Sequence, residues 1–232
     1  MTLLLQYFIL LPLIAFLLGL IMPRKNERVL SGLAITTAGL HLLAVIAFIV
    51  YWLLNGTPIL DSRHITFFKS GRIDIIIDFY FDKATAVDAV TGSRLFFVIT
   101  IFSRFYIHRE AGFKRFFTTT LLFFLGYNLV IFSGNFETLF IGWEILGICS
   151  FLLIAFYRDR YLPVKNGLKT ISVYRLGDMC LILVMWMSHQ LWHENITFLK
   201  LNDAELAQSH LTAHPGPVLF IALMLVLAAS TK

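Results

Sequence analysis

Residues 139–149 read LFIGWEILGIC, an almost wholly apolar run with one glutamate, Glu144, near its centre. The apolar stretch continues over residues 137–157, which is enough for a helix that crosses a bilayer core of about 30 Å. A charged group near the centre of such a helix costs roughly 2.5 to 3.5 kcal/mol on insertion scales, so it usually faces a protein interior or a water-filled path. We therefore interpret Glu144 either as a group that exchanges protons or as a structural carboxyl bound to a neighbouring helix.

The composition of the whole chain also indicates a membrane protein. Hydrophobic residues make up 58% of the 232 positions and charged residues 14%, which is outside the usual balance of a soluble domain. The formal charge of +5 is spread over short loops between apolar segments, so we expect no nucleic-acid partner. Cys149 and Cys180 both lie in apolar runs and give neither a disulfide framework nor the spacing of metal ligands.

Seven apolar segments are long enough, or nearly long enough, to be transmembrane helices. The first has no basic region before it and no cleavage site of small residues, so we interpret it as a retained span. The third is the most polar, because it contains Asp88, Arg94 and Arg104. The last covers only about 22 Å and looks cut off within a helix, so we expect the sequence to be a fragment. The segments are residues 3–22, 30–54, 84–107, 116–132, 137–157, 170–190 and 218–232.

A short β-hairpin is predicted between the second and third segments. Residues 63–82 read RHITFFKSGRIDIIIDFYFD, in which isoleucines alternate with other residues after a Ser70-Gly71 turn signal. The polar loop 191–217 is long enough for a short surface helix. We therefore expect an all-α polytopic membrane protein with about seven transmembrane helices and one small extramembrane hairpin. Residues 1–110 form its N-terminal part, with spans 1–3 and the hairpin, and residues 111–232 contain spans 4–7.

The distribution of basic residues predicts the orientation in the membrane. The loops after the first, third and fifth segments are rich in lysine and arginine, whereas the alternate loops mix basic with acidic residues. The N-terminus is therefore expected outside, in a multi-pass protein of a bacterial inner membrane. The residues expected inside are Arg24, Lys25, Arg28, Arg109, Lys114, Arg115, Arg158, Arg160, Lys165 and Lys169.

Two further ionisable residues are expected near the depth of Glu144, which lies about 12 Å below the outer end of its helix. Asp178 reaches a similar level in the sixth segment, and Arg175 is three positions earlier on the same helix face, so a local structural pair is one interpretation. Lys232 lies more than halfway along the seventh segment, where it could exchange a proton with Glu144. The alternative for Lys232 is an ordinary anchor at the inner surface.

Other candidate residues carry weaker signals. His41, near the middle of the second segment, is either a proton relay or a histidine hydrogen-bonded to a neighbouring helix. His189 and His193 have the i,i+4 spacing of metal ligands, but only Glu194 could complete a set, so we favour surface or interface roles. The sequence contains no nucleotide-binding loop, dinucleotide fingerprint, cysteine cluster or nucleophile elbow. We therefore expect no cofactor and no metal in this chain.

Several motifs resemble one known family. They are GWE at 142–144, SFLLIAF at 150–156, NGLK at 166–169 and YRLGD at 174–178, with weaker matches in YFDKAT at 80–85 and FSRFYIHRE at 102–110. Together they resemble the proton-translocating antiporter-like subunit of respiratory complex I, known as chain 5 or chain L. The resemblance covers essentially the whole chain, and the block 133–186 is its specific part.

The resemblance implies a helical subunit built of two inverted five-helix repeats, of which this chain holds part of the first. In that family a glutamate of the fifth span pairs with a lysine on a broken seventh span, and a further acid lies on the sixth. These positions correspond here to Glu144, Lys232 and Asp178. The implied function is proton translocation in a membrane arm, coupled to NADH:quinone electron transfer in partner subunits. The chain itself would then be a non-redox subunit of a translocase, with other membrane subunits and the lipid bilayer as partners.

Three alternatives stay open at the level of sequence. The large subunit of multisubunit Na+/H+ antiporters is closely similar, and the transported ion would then include Na+. A similar subunit also occurs in inorganic-carbon uptake complexes, together with a soluble zinc partner. The stretch 102–117, FSRFYIHREAGFKRFF, is more basic than is typical of chain L, which supports both of these relatives. The third alternative is a structural membrane module in which the buried charges pair only for assembly.

Overall fold

Long apolar runs with few glycines or prolines form the helices of this protein, because helix formation satisfies every backbone polar group within the segment. The computed structural model describes residues 2–23, 26–70, 73–192, 196–203, 208 and 212–232. In chain order its elements are α1 (Thr2–Ile21), α2 (Glu27–Leu54), β1 (Leu60–Ser70), β2 (Ile73–Phe81), α3 (Lys83–Tyr106), α4 (Phe113–Ile131), α5 (Phe136–Ile154), α6 (Tyr161–Trp192), α7 (Phe198–Leu201) and α8 (Pro215–Ser230).

The predicted fold class, an all-α polytopic membrane protein with one small hairpin, is confirmed. Each of the seven predicted segments falls on a helix of the structure. Among the described residues, five helices are long and apolar enough to cross a membrane, namely α1, α2, α3, α5 and α6. Helix α4 has 19 residues and α8 has 16. Strands β1 and β2 pair antiparallel from Leu60 with Phe81 to Ser70 with Ile73. The predicted turn at Gly71 lies outside the described residues.

One boundary differs clearly from its prediction. Helix α6 begins at Tyr161, whereas the apolar segment begins near residue 170. The intervening residues are too polar to count as part of a membrane span, yet they continue the same helix. The ammonium group of Lys165 lies 5.4 Å from the centre of the Tyr161 ring, a cation–π contact within this extension. Hydropathy therefore locates the membrane part of α6 but not its polar beginning.

The hairpin lies at the end of the bundle where α4 meets α5. The backbone N–H of Tyr80 donates to the carbonyl of Phe132 at 2.9 Å, and that of Gly134 donates to Asp78 at 2.8 Å. The N–H of Phe198 in turn donates to the carbonyl of Gly134 at 2.7 Å. The α4–α5 connection thus joins the hairpin to the segment that contains α7. These three connections, all predicted outside, lie at one end of the molecule.

The basic connections meet at the opposite end. Lys114 Nζ donates to the carbonyls of Leu20 at 2.7 Å and Met22 at 2.6 Å, which satisfies carbonyl groups at the C-terminal end of α1. Arg115 donates from Nη2 to the carbonyl of Phe156 at 2.6 Å. The chain therefore runs up and down between two ends of different charge.

Helices α4 and α5 approach each other closely through two glycines. A Cβ atom added to Gly142 would lie 2.8 Å from the backbone nitrogen of Val130 and 2.9 Å from the carbonyl oxygen of Gly126. A Cβ added to Gly126 would lie 2.8 Å from the Cγ2 atom of Ile145. Small residues allow such close packing between membrane helices. Gly142 therefore fixes the face of α5 that turns toward α4, and the following residues, Trp143 and Glu144, lie on the side toward α6.

A histidine of α2 supplies the hydrogen-bond donor that a proline in α1 lacks. Pro12 lies inside α1 and has no N–H, so the carbonyl of Phe8, four residues earlier, lacks its usual helical donor. His41 Nε2 lies 3.2 Å from that carbonyl oxygen, and its Nδ1 lies 3.0 Å from Ser93 Oγ. Since Nε2 must donate to the carbonyl, Nδ1 accepts from the serine hydroxyl in the neutral ring. His41 thus joins α1, α2 and α3.

Candidate functional site

Glu144 and Asp178 lie on facing helices and share one cation. Arg175 Nη1 is 3.1 Å and 3.0 Å from the two carboxylate oxygens of Glu144, and 3.3 Å from Asp178 Oδ2. Glu144 is the ninth of the 19 residues of α5, and Asp178 lies near the middle of α6. The guanidinium therefore joins two helices at mid-length and holds two acidic groups close together.

The burial of the three side chains differs. The side chain of Asp178 is 10% exposed and that of Glu144 is 23% exposed, whereas that of Arg175 is 53% exposed. The two acids thus lie inside the α5–α6 contact, and the guanidinium reaches them from its edge. A single positive charge shared by two carboxylates leaves the group with a net charge of −1, one positive charge short of neutrality. A proton or a second cation can supply that charge.

Lys232 lies next to this group, on the far side of Trp143. Its Nζ donates to the carbonyl of Trp143 at 2.6 Å and lies 4.2 Å from the centre of the Trp143 ring. The Tyr174 ring is on another side of the ammonium group, at 5.3 Å. Trp143 in turn donates from its indole N–H to Asp178 Oδ1 at 3.1 Å. One indole therefore contacts both the second cation and one of the acids.

A glycine of α6 makes room for the residue that precedes Lys232. Gly177 precedes Asp178, and a Cβ there would collide with the hydroxyl of Thr231. A Cβ added to Gly147 of α5 would be in ordinary contact with Lys232 Nζ, at 3.5 Å, and with the Tyr174 ring, at 3.7 Å. Gly177 therefore lets the end of α8 come close to α6.

The pairing of Glu144 differs from the one that the family resemblance implied. Glu144 binds Arg175, and in the described part of the chain Lys232 forms no ion pair with Glu144 or Asp178. The Lys232 ammonium group binds the carbonyl of Trp143 and lies over the Trp143 ring, whereas the Arg175 guanidinium contacts both carboxylate oxygens of Glu144. The local Arg175–Asp178 pair, expected from spacing, is present but is one half of a bridge between helices. Sequence reasoning missed Trp143 and Tyr174, although each directly precedes one of the flagged residues.

His41 lies apart from this group. It is fully buried in α2, and both ring nitrogens have partners in α1 and α3. The Phe124 ring meets it edge-on with 4.7 Å between centroids. These contacts support the interpretation of His41 as a histidine that is hydrogen-bonded to neighbouring helices.

His189 faces an acid instead of a metal partner. Its Nε2 lies 2.9 Å from Glu137 Oε1, in a pair that joins the beginning of α5 to the end of α6. His193 and Glu194, the other members of the proposed set, lie outside the described residues. In the part of the chain that is described, no three His, Cys, Asp or Glu residues come together as metal ligands.

Three neighbouring membrane helices thus hold two acids, an arginine and a lysine between them. Residues 133–232 match the family described as "NADH:quinone oxidoreductase/Mrp antiporter, TM". The chain is 32% identical over 231 residues to NADH-quinone oxidoreductase subunit L of Escherichia coli (strain K12), a match that covers 97% of this chain and 36% of that protein. The chain belongs to this family of antiporter-like subunits.

Solved structures share the fold. A chain of the membrane-bound sulfane sulfur reductase, an archaeal respiratory membrane complex, superposes with a TM-score of 0.73 at 18% identity, over 97% of this chain and 43% of that chain. A chain of the Mrp complex from Dietzia sp. DQ12-45-1b gives 0.69 at 17% identity, over 97% and 23%. The helix arrangement of this chain therefore also occurs in chains of two different assemblies. The sequence spans about a third of the length of its E. coli relative.

Proposed function

We propose that the complete protein moves protons through a half-channel whose exchanging groups are Glu144, Asp178 and Lys232. The observation that carries the proposal is the Arg175 bridge between Glu144 and Asp178, with Lys232 held beside it on Trp143. Intramembrane ionisable groups that face a protein interior commonly line ion and proton pathways. The family membership supports the same function, because its members include subunits of a quinone-reducing complex and of an antiporter.

The charges of this group suggest how a proton could be passed. Two carboxylates compete for one guanidinium, so the acid that is less well paired can hold a proton. Two unit charges about 4 Å apart interact by about 4 kcal/mol at an effective dielectric constant of 20. A movement of Lys232 from the Trp143 carbonyl toward the two acids would therefore favour release of the proton that the pair holds. Its return would leave the pair ready to take up another.

Energy for such movement would come from partner subunits. The chain is proposed to be a non-redox subunit of the membrane arm, in a bacterial inner membrane with its N-terminus outside. Electron transfer from NADH to quinone, and the cofactors that it needs, would then lie in neighbouring subunits. The E. coli relative is named as a subunit of an NADH-quinone oxidoreductase, which supports this assignment.

A second candidate is the large subunit of a multisubunit Na+/H+ antiporter. The description of the matched family names both an NADH:quinone oxidoreductase and the Mrp antiporter. The Mrp complex of Dietzia contains a chain of the same fold. The buried acids would serve in either system. The two candidates differ in the driving force, which is electron transfer in one and an Na+ gradient in the other.

Substitution of Glu144 by glutamine in the full-length protein, within its assembly, tests the proposal. We expect proton translocation in inverted vesicles to fall about tenfold or more, because a positioned proton carrier contributes at least that much. The amount of assembled complex, measured on native gels, should be unchanged. Glu110→Gln, an acid in the exposed α3–α4 connection, is the matched control and should keep full activity.

Each alternative predicts a different result. Unchanged translocation by Glu144→Gln in an intact complex would contradict the channel role. A structural role alone would lower the amount of complex and leave the activity per complex constant. Proton movement that responds to an imposed Na+ gradient, and not to NADH, would identify the antiporter.

A further inference from the structure

Arg94 lies on the outward face of α3 without a partner in the described part of the chain. It follows Lys83 by 11 residues and precedes Tyr106 by 12, so it is about 16 to 18 Å from either end of the helix. That distance is too long for an arginine to reach the membrane surface along the helix. Arg94 is exposed, and no carboxylate among the described residues forms an ion pair with it. In a lone subunit the guanidinium would face lipid.

The neighbouring exposed residues form a continuous stripe. Their spacing of three and four residues repeats along the whole helix, as on the contact face of paired helices. Leu95 and Val98 are each 56% exposed and Phe102 is 63% exposed. We call this set the α3 face; it consists of Ala84, Asp88, Thr91, Arg94, Leu95, Val98, Phe102 and Phe105.

A groove borders the α3 face near its beginning. It measures about 450 Å³ and lies between α2 and α3, lined by Ile49, Trp52, Leu53, Val87 and Val90 among others. Its lining is almost wholly apolar, and Thr91 belongs both to the groove and to the α3 face. A helix laid along the face could therefore place a large apolar side chain in the groove.

Helix α3 lies at one margin of the described bundle. It packs on α2 and, less extensively, on α4, whereas α8 packs on α6 at the opposite margin. Among the described residues, the α3 face is therefore open to a neighbouring helix.

We propose that the α3 face binds a transmembrane helix of a neighbouring subunit, which places an aspartate or glutamate opposite Arg94. An acid in that position would neutralise a charge that lipid cannot solvate, and the apolar residues of the α3 face would pack against the same helix. The inference rests on the proposed function to the extent that the protein works within a multisubunit complex. It adds which surface makes the contact and what chemistry the partner supplies.

The first experiment replaces Arg94 by glutamine in the full-length protein expressed with its neighbouring subunits. Glutamine removes the charge and lowers the cost of inserting α3, so loss of the partner cannot be due to failed insertion. We expect the co-purified neighbouring subunits to fall about tenfold or more, as expected when an anchoring arginine is lost. Arg94→Lys should retain most of them. Arg104→Gln, which removes an exposed arginine from the last turn of the same helix, is the control and should retain all of them.

A second experiment measures directly what covers the face. A nitroxide attached at Val98→Cys in an otherwise cysteine-free full-length protein should lose contact with lipid-dissolved oxygen when the complex assembles. The control label at Leu43→Cys is on the exposed side of α2 and reports the accessibility of a lipid-facing position. Equal oxygen access at residue 98 in the free and assembled protein would overturn the inference, as would cross-linking of this face to a second copy of the chain.

The two proposals fail in different ways. If Glu144→Gln keeps full translocation while Arg94→Gln still loses its partner, the channel role fails and the interface stands. If Arg94→Gln assembles normally while Glu144→Gln stops translocation, the interface fails and the channel role stands.

Discussion

At the scale of single residues, Trp143 connects the two halves of the site. Its indole N–H binds the carboxylate of Asp178, its ring contacts the ammonium group of Lys232, and its carbonyl accepts from that same group. Aromatic residues are common in apolar membrane segments, so nothing in the pattern distinguished Trp143 from a packing residue. Only the contact with Lys232 in the structure shows that Trp143 belongs to the site.

Arg175 gives the first prediction at this scale. Replacing it by glutamine removes the cation that separates Glu144 from Asp178, and two carboxylates then face each other. We expect the purified full-length complex to lose about 1 to 2 kcal/mol of stability, less than for a fully buried pair because Arg175 is half exposed. Thermal unfolding measures this loss.

A second substitution provides the control for that prediction. Asp178→Asn, added to Arg175→Gln, removes one of the two facing charges and should restore most of the lost stability. If the double variant is no more stable than Arg175→Gln alone, the bridge between the carboxylates is not what Arg175 contributes.

At the scale of helices, apolar length predicted the position of every membrane segment, because burial of backbone groups in lipid leaves little alternative to a helix. It could not predict how α5 and α6 are rotated relative to each other. That rotation decides whether Glu144 meets Arg175 or Lys232, and it depends on side-chain packing between distant parts of the sequence. For this reason the sequence indicated the acids, the arginine and the lysine, but not the contacts among them.

Gly142 gives a prediction about that rotation. Alanine at this position would press a Cβ against the backbone of α4 at Val130 and Gly126, so the two helices would have to separate. We expect Gly142→Ala to lower the stability of the full-length protein by about 1 to 3 kcal/mol, as overpacking does elsewhere. Thermal unfolding in detergent would measure the change.

Gly32→Ala is the matched control, since a Cβ at Gly32 meets no atom within 4 Å. Removal of a glycine from a helix interior should leave stability unchanged or raise it by about 0.5 to 1 kcal/mol. Equal effects of the two substitutions would show that the α4–α5 contact does not depend on Gly142.

At the scale of the whole molecule, the two ends differ in charge and in the connections that they hold. The hairpin, the α4–α5 connection and the α7 segment meet at one end, and the basic connections meet at the other. The helices alternate in direction because each segment that crosses the membrane reverses the direction of the one before it. Which end faces the cytoplasm follows only from the excess of lysine and arginine.

Labelling of single cysteines tests the orientation. In intact cells that make a cysteine-free full-length protein, a membrane-impermeant maleimide should label Asn55→Cys, beside the hairpin, and leave Arg160→Cys unlabelled. Inverted vesicles should give the opposite pattern, and they provide the control for reactivity. Labelling of Arg160→Cys in intact cells would place the basic end outside.

The Pro12 and His41 contact has a consequence for how this protein can change during evolution. A proline in α1 leaves the Phe8 carbonyl without a donor, and the histidine of α2 supplies one. Loss of His41 alone orphans the carbonyl, whereas loss of Pro12 alone makes the histidine's bond redundant. The order of substitution therefore matters: a lineage can replace the proline first and the histidine later, but the reverse order passes through a destabilised intermediate. Relatives that keep a proline at this position should accordingly keep a donor at the position of His41.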